Sequence, residues 1–222
     1  MKKEILKTAF IKSIPILCSY IFVGMAYGLM MNEAGFYWWH TLLISLVIYT
    51  GAFQFLLISF LQTGTPLLTI CLSALLINSR QLFYSLTFID DFNRMGKKKW
   101  YMIHTLTDET YAVNCTLPSQ NKKDIMPWIA FFSICYWMMG GLLGSFIGNL
   151  VPWNLEGIDF CMTALFIIIL MDQCKKIENQ KIACIGFIVG IFCLLLFGTR
   201  QFMLPSLILT SFFLLYRSWR VI

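Results

Sequence analysis

Asp108 and Glu109 stand side by side in the stretch from Trp100 to Val113, in a chain otherwise built of long apolar runs. A charge at membrane depth costs several kcal/mol by most measures, so a chain that keeps one there usually uses it for transport or a proton relay. The plainer reading places both acids at a helix end or in a water-facing loop. His104 lies four residues before Asp108, which on one continuous helix puts the two on one face. A histidine beside a carboxylate relays protons near neutral pH. His104, Asp108 and Glu109 are therefore the proton-coupling candidates.

A second group is Ile77-Asn78-Ser79-Arg80-Gln81-Leu82-Phe83-Tyr84, inside an apolar run from Leu67 to Ile89. Arg80 is too far from either end of that run to snorkel easily, so it should face a partner or a cavity. Its guanidinium is permanently charged and forks onto carboxylates. It suits a substrate carboxylate, or an ion pair with Asp108 or Glu109. Asn78 flanks it, and Tyr84 follows one turn on.

A third group, Tyr49-Thr50-Gly51-Ala52-Phe53-Gln54-Phe55, falls in the middle of another apolar run. Gly next to Ala permits close backbone approach or a local break. A helix unwound at Gly51 would free N–H groups for a carboxylate and carbonyls for an ammonium, with the Gln54 amide at the same depth. The alternative is a packing notch with Gln54 bonded to a neighbouring helix. Gly51, Gln54, Asn78, Arg80 and Tyr84 are the candidate substrate-binding residues.

These groups must be held by membrane helices. Of the 222 residues, 59% are apolar and 13% charged, against about 25% charged in soluble domains. The expected fold is all-α: a polytopic helical membrane protein of about six to eight segments, with discontinuous or re-entrant helices. Residues 1–222 form one integral membrane domain in this reading. Candidate segments are 14–31, 38–61, 66–89, 100–117, 127–149, 158–173, 182–199 and 202–216. The first has a signal-like lysine cluster before it but no small-residue cleavage site, and is expected to stay uncleaved.

Lysine and arginine bias sets the orientation. The N-terminal lysines, Lys122-Lys123, Lys175-Lys176 with Lys181, and Arg217 with Arg220 all fall inside with eight crossings, and both termini are cytoplasmic. Arg94 and Lys97-Lys98-Lys99 then fall outside. A second reading brings that loop inside by making one of the first three segments re-entrant and bending 100–117 back without crossing, for six crossings. A possible internal repeat lays His40–Gln54 on Asp159–Gln173, each after a Gly-rich segment.

Other chemistry finds little support. The eight cysteines contain no Cys-x-x-Cys, so neither a disulfide framework nor a zinc site is indicated. His-Glu-x-x-His spacing is absent, and no metal or other cofactor is expected. The net charge of +6 sits at segment ends and calls for lipid headgroups, not nucleic acid.

Four stretches in order, Pro15 through Gly28, Tyr49 through Phe55, Ile77 through Tyr84, and Leu106 through Tyr111, resemble the AzlC family of bacterial branched-chain amino acid exporters. The resemblance implies a non-enzymatic secondary exporter of hydrophobic amino acids at the inner membrane. It also implies a partner, a small AzlD-type membrane subunit, and coupling to the proton gradient. One departure is Arg80-Gln81, where the family pattern leads one to expect Arg-His. The alternative function is a membrane channel or a non-transporting assembly partner.

Overall fold

A computed structural model describes residues 2–118, 121–150 and 177–219, together with 167, 170, 171 and 174. Among the described residues there are ten helices and no strand: α1 (Lys2–Glu33), α2 (Trp38–Val47), α3 (Gly51–Thr63), α4 (Leu67–Thr87), α5 (Ile89–Arg94), α6 (Lys98–His104), α7 (Asp108–Cys115), α8 (Lys122–Leu150), α9 (Ile177–Gln201) and α10 (Met203–Trp219). Among the described residues, three stretches are long and apolar enough to cross a membrane, Lys3–Glu33, Lys122–Leu150 and Gln180–Gly198. The proposed segment 158–173, and the repeat that depends on it, lie outside the described residues apart from isolated positions.

The chain groups into two units, residues 1–62 with 78–159 and residues 63–77 with 160–222. In the first, α1 and α8 lie side by side and parallel: Phe10 meets Phe132, Ser13 bonds Tyr136, and Asn32 bonds Asn149. Glycines make this closeness possible. A Cβ on Gly28 would fall 2.0 Å from the Gly141 carbonyl oxygen, and one on Gly144 would fall 2.1 Å from that of Met25. Gly24 and Gly140 likewise meet backbone across the seam, at 3.0 and 2.9 Å. Small residues that let backbones touch are the usual basis of helix association in lipid, where apolar side chains gain little from leaving the bilayer. The two Gly-rich stretches of the sequence are thus the two halves of one contact.

Around this seam two expected helices are interrupted. The second segment divides into α2 and α3 at Ile48-Tyr49-Thr50, and the fourth into α6 and α7 at Thr105-Leu106-Thr107. Their pieces run from 7 to 13 residues, well short of the roughly 20 that span a bilayer. α2 runs antiparallel to α8, from Trp38 stacked on Phe146 through Thr41 bonded to Ser145. It stops half-way, where Gly51 begins α3 under the Trp137 indole. His104 and Asp108 do not share a helical face, because α6 ends at one and α7 begins at the other. Thr107, in extended backbone, caps α7 through a reciprocal bond pair with Thr110, which favours a fresh start over continuation.

The α6–α7 pair enters and leaves by one end of the α1–α8 seam. Lys98 and Tyr101 share a cleft with Lys3 and Asp124, at the start of α1 and α8. Tyr111 of α7 packs on Phe88, and Phe88 lies under the Lys122 ammonium. Asp91 of α5 completes this corner with a 3.0 Å ion pair to Lys122. The disputed basic loop therefore shares an end with the N-terminal lysines and Lys122-Lys123, as in the second of the two orientations.

In the second unit α9 and α10 pack as a hairpin, with Gly186 against Thr210. Gly198 adopts a left-handed φ of 70° that breaks the helical path before Arg200-Gln201. At that φ a side chain would be strained, so glycine there fits a sharp turn between the two helices.

Two outcomes follow. Gly28→Ala should lower stability by about 1–3 kcal/mol or more, the scale of overpacking a close contact, whereas Gly190→Ala, with nothing within 4 Å, should be neutral; thermal unfolding in detergent measures both. In a cysteine-free background, Lys98→Cys should react with an impermeant thiol reagent from the same face as Lys123→Cys. Labelling from opposite faces would restore the eight-crossing topology.

Candidate functional site

The two interruptions meet beside α1 and α8. The hydroxyl of Tyr20, on α1, donates to Glu109 Oε2 at 2.8 Å and lies 2.7 Å from Thr107 Oγ1. With the tyrosine proton directed to the carboxylate, the threonine donates to the tyrosine. A chain Thr107 O–H to Tyr20 O–H to Glu109 results, and linked hydrogen bonds of this kind polarise one another. Tyr20 is 5% exposed. Glu109 and Asp108 occupy the first turn of α7, where the positive end of the helix dipole favours negative charge. Both acids are only partly buried.

Tyr49 comes to the same place from the α2–α3 interruption. Its hydroxyl is buried beside Tyr20 and Glu109. Asn114, one turn beyond Thr110 on α7, is 1% exposed with neither amide atom bonded.

Gln54 has a different part. Its amide nitrogen donates to the Ile48 carbonyl and, at 3.5 Å, to that of Ile44, while its oxygen accepts from the Trp137 indole N–H at 2.8 Å. The side chain is fully buried. It adds a second donor to the Ile44 and Ile48 carbonyls, which already accept from the Ile48 and Thr50 N–H groups, and so braces the end of α2. Gly51 is the first residue of α3, and a Cβ there would come 3.1 Å from the Trp137 ring. Thr50 donates to Asn78 Oδ1 at 2.7 Å, tying α4 to this interruption.

His104 caps the same helix end from the other side. Its Nε2 lies 3.0 Å from the Leu46 carbonyl, and since a carbonyl only accepts, the ring donates from that nitrogen. The side chain is exposed. Tyr84 stacks on Tyr111 of α7 with ring centroids 4.5 Å apart. Arg80 lies on α4 between Asn78 and Tyr84, and its side chain is outside the described residues.

The arrangement thus brings Gly51, Gln54 and Asn78 to the α2–α3 interruption, and joins His104 to it through Leu46. Glu109 meets Tyr20 and Tyr49 beside it. The sequence reading gave no part to Tyr20, Thr107 or Trp137. Trp137 is 4% exposed in the middle of α8, unlike the interfacial tryptophans expected of such chains. Thr107 had a usable signal, a capping hydroxyl followed at once by two acids. Two half-helices ending at one level, with buried polar groups between them, is how many secondary transporters build a midplane site.

Comparisons with known proteins give the family. The model of the family described as AzlC protein matches residues 15–151, the span from within α1, just before Tyr20, to just beyond α8. A membrane protein of Helicobacter pylori is 37% identical over 206 residues, covering 91% of this chain and 90% of its own. The Bacillus subtilis "Branched-chain amino acid transport protein AzlC" is 34% identical over 208 residues, 91% of this chain and 81% of its own. The "Inner membrane protein YgaZ" of Escherichia coli is 28% identical over 209 residues, 90% and 83% of the two. No solved structure matches. On the family match and on relatives similar over nearly its whole length, the chain is a transmembrane protein of the AzlC family.

Proposed function

We infer that the chain is a secondary exporter of branched-chain or related hydrophobic amino acids, acting as one transporter domain in the inner membrane with both termini cytoplasmic. It works with a small AzlD-type membrane subunit and is coupled to the proton gradient. The observation that carries the reading is the convergence of Tyr20, Tyr49 and Glu109 where two interrupted helices meet. Family membership and the transport named in the Bacillus relative support the substrate class.

In this mechanism the substrate carboxylate is taken by the free N–H groups at the start of α3, around Gly51, and by Arg80. Asn78, Gln54 and Tyr84 shape the polar side. Glu109 alternates between holding a proton and accepting from Tyr20 or from the substrate ammonium. Protonation removes the charge that Tyr20 and the α7 dipole stabilise, so it loosens the tie between α1 and α7. Asp108 and His104 complete the coupling group. The tie of His104 to the end of α2 lets movement of α6 be felt at the substrate-binding interruption.

Arg80→Ala and Asp108→Asn should each abolish export while leaving membrane insertion intact, read as efflux against the amount of protein in the membrane. Full export by both variants overturns the site. Tyr20→Phe removes the donor to Glu109 without opening a cavity, and should slow efflux roughly tenfold, the order of one charge-assisted hydrogen bond. The deciding experiment is efflux from cells loaded with valine, leucine or isoleucine as dipeptides, with the chain expressed alone and with the small subunit. Efflux requiring both proteins and lost on collapsing the proton gradient is expected. Non-saturating conductance would mark a channel, and no flux with intact complex formation would mark an assembly partner.

A further inference from the structure

The end of the α1–α8 seam where both helices begin carries a feature that the transport site does not use. A cleft of about 730 Å³ opens between the first turns of α1, the short helix α6 and the start of α8. That size lies within the ~300–1,000 Å³ of ligand pockets. Lys3 and Lys98 reach it from different elements, both side chains are exposed, and among the described residues neither forms an ion pair. Tyr101 lines the same wall, and its hydroxyl has no hydrogen-bond partner among the described residues. The remaining surface is apolar, chiefly Leu6, Pro127, Trp128 and Phe131.

We propose that this cleft binds the headgroup of an anionic phospholipid, with its phosphate between Lys3 and Lys98 and an acyl chain along the apolar wall. Charge complementarity selects the occupant. Two ammonium groups face one carboxylate, Asp124, and the flanking segment adds Lys97 and Lys99, so the local field favours a net negative headgroup. Asp124 accepts from headgroup hydroxyls instead of repelling the phosphate, which lies nearer the lysines. The tail is accommodated because the apolar wall continues outward: Leu6 is 39%, Phe10 46% and Phe131 49% exposed. A water-soluble anion would have no use for that strip. Trp128, 43% exposed beside it, has the amphipathic ring that sits at headgroup level. Because the bound lipid would touch α1, α6 and α8 together, it would hold the α6–α7 pair against the seam.

The test uses the full chain in detergent, titrated with phosphatidylglycerol or phosphatidylcholine carrying brominated tails, with tryptophan fluorescence as the readout. Phosphatidylglycerol should half-saturate at a roughly tenfold lower mole fraction, the order that two interfacial lysines supply. Trp128→Phe should remove the phosphatidylglycerol-specific part of the quenching. The double change Lys3→Gln with Lys98→Gln should erase the preference, and Lys3→Arg with Lys98→Arg should keep it. Equal quenching by the two lipids, or a preference surviving the glutamine pair, overturns the proposal. So does phosphatidylethanolamine performing as well as phosphatidylglycerol, since Asp124 would then be reading an ammonium. Loss of the preference to inorganic phosphate at matched ionic strength would assign the cleft to a free anion.

Discussion

Direct backbone contact between α1 and α8 is the constraint on which the described first unit depends. Lipid offers no hydrophobic drive to bring helices together, so association rests on close packing and on polar bonds made at short range. Glycine at 24, 28, 140 and 144 removes the side chains that would hold the helices apart. Hydroxyls and amides then bond across the gap, from Ser13 with Tyr136 to Asn32 with Asn149. The result is a rigid pair against which weaker elements lean.

Those weaker elements are the four half-helices. Irregular backbone at depth survives only where protein satisfies it. Gln54 and His104 bring side-chain donors to the end of α2, and Thr107 with Thr110 caps the start of α7. Trp137 secures the first of these, since its indole fills the space over Gly51 while its N–H fixes Gln54. Tyr20, on the rigid pair, reaches the acid of the other interruption. Tyr49, Gln54 and Glu109 therefore belong to segments whose backbone is held by a few named bonds, a situation suited to local rearrangement.

Much of this was legible in the sequence. Continuous apolar runs gave the fold class, and Lys and Arg placement gave two orientations, one of which the described corner of Lys3, Lys98 and Asp124 follows. Gly51 pointed to an interruption within three residues of where it lies. The end of α6 was missed because an apolar count sees Trp100 to Val113 as one run, and a single cap is a weaker signal than fourteen residues of composition. Trp137 and Tyr20 were missed for another reason. Nothing local distinguishes an aromatic that faces a partner at depth from one that faces lipid, and only the pairing of α1 with α8 decides it. The opposite holds for Gln54, whose polarity marked it as important but whose partners, Ile44 and Ile48 carbonyls and Trp137, come from tertiary structure.

The parallel pairing of α1 with α8 also bears on how the protein is made. Gly28 and its neighbour Ser145 are separated by more than a hundred residues of chain. At about 5–20 residues per second of synthesis, several seconds pass between the appearance of one face and the other. Throughout that interval the glycine stripe of α1 has no partner, and α2, α3, α6 and α7 emerge before the surface that supports them is complete. Insertion and folding are consequently out of step in this chain: the half-helices must be kept from settling elsewhere until α8 arrives, and the order of synthesis cannot be the order of assembly.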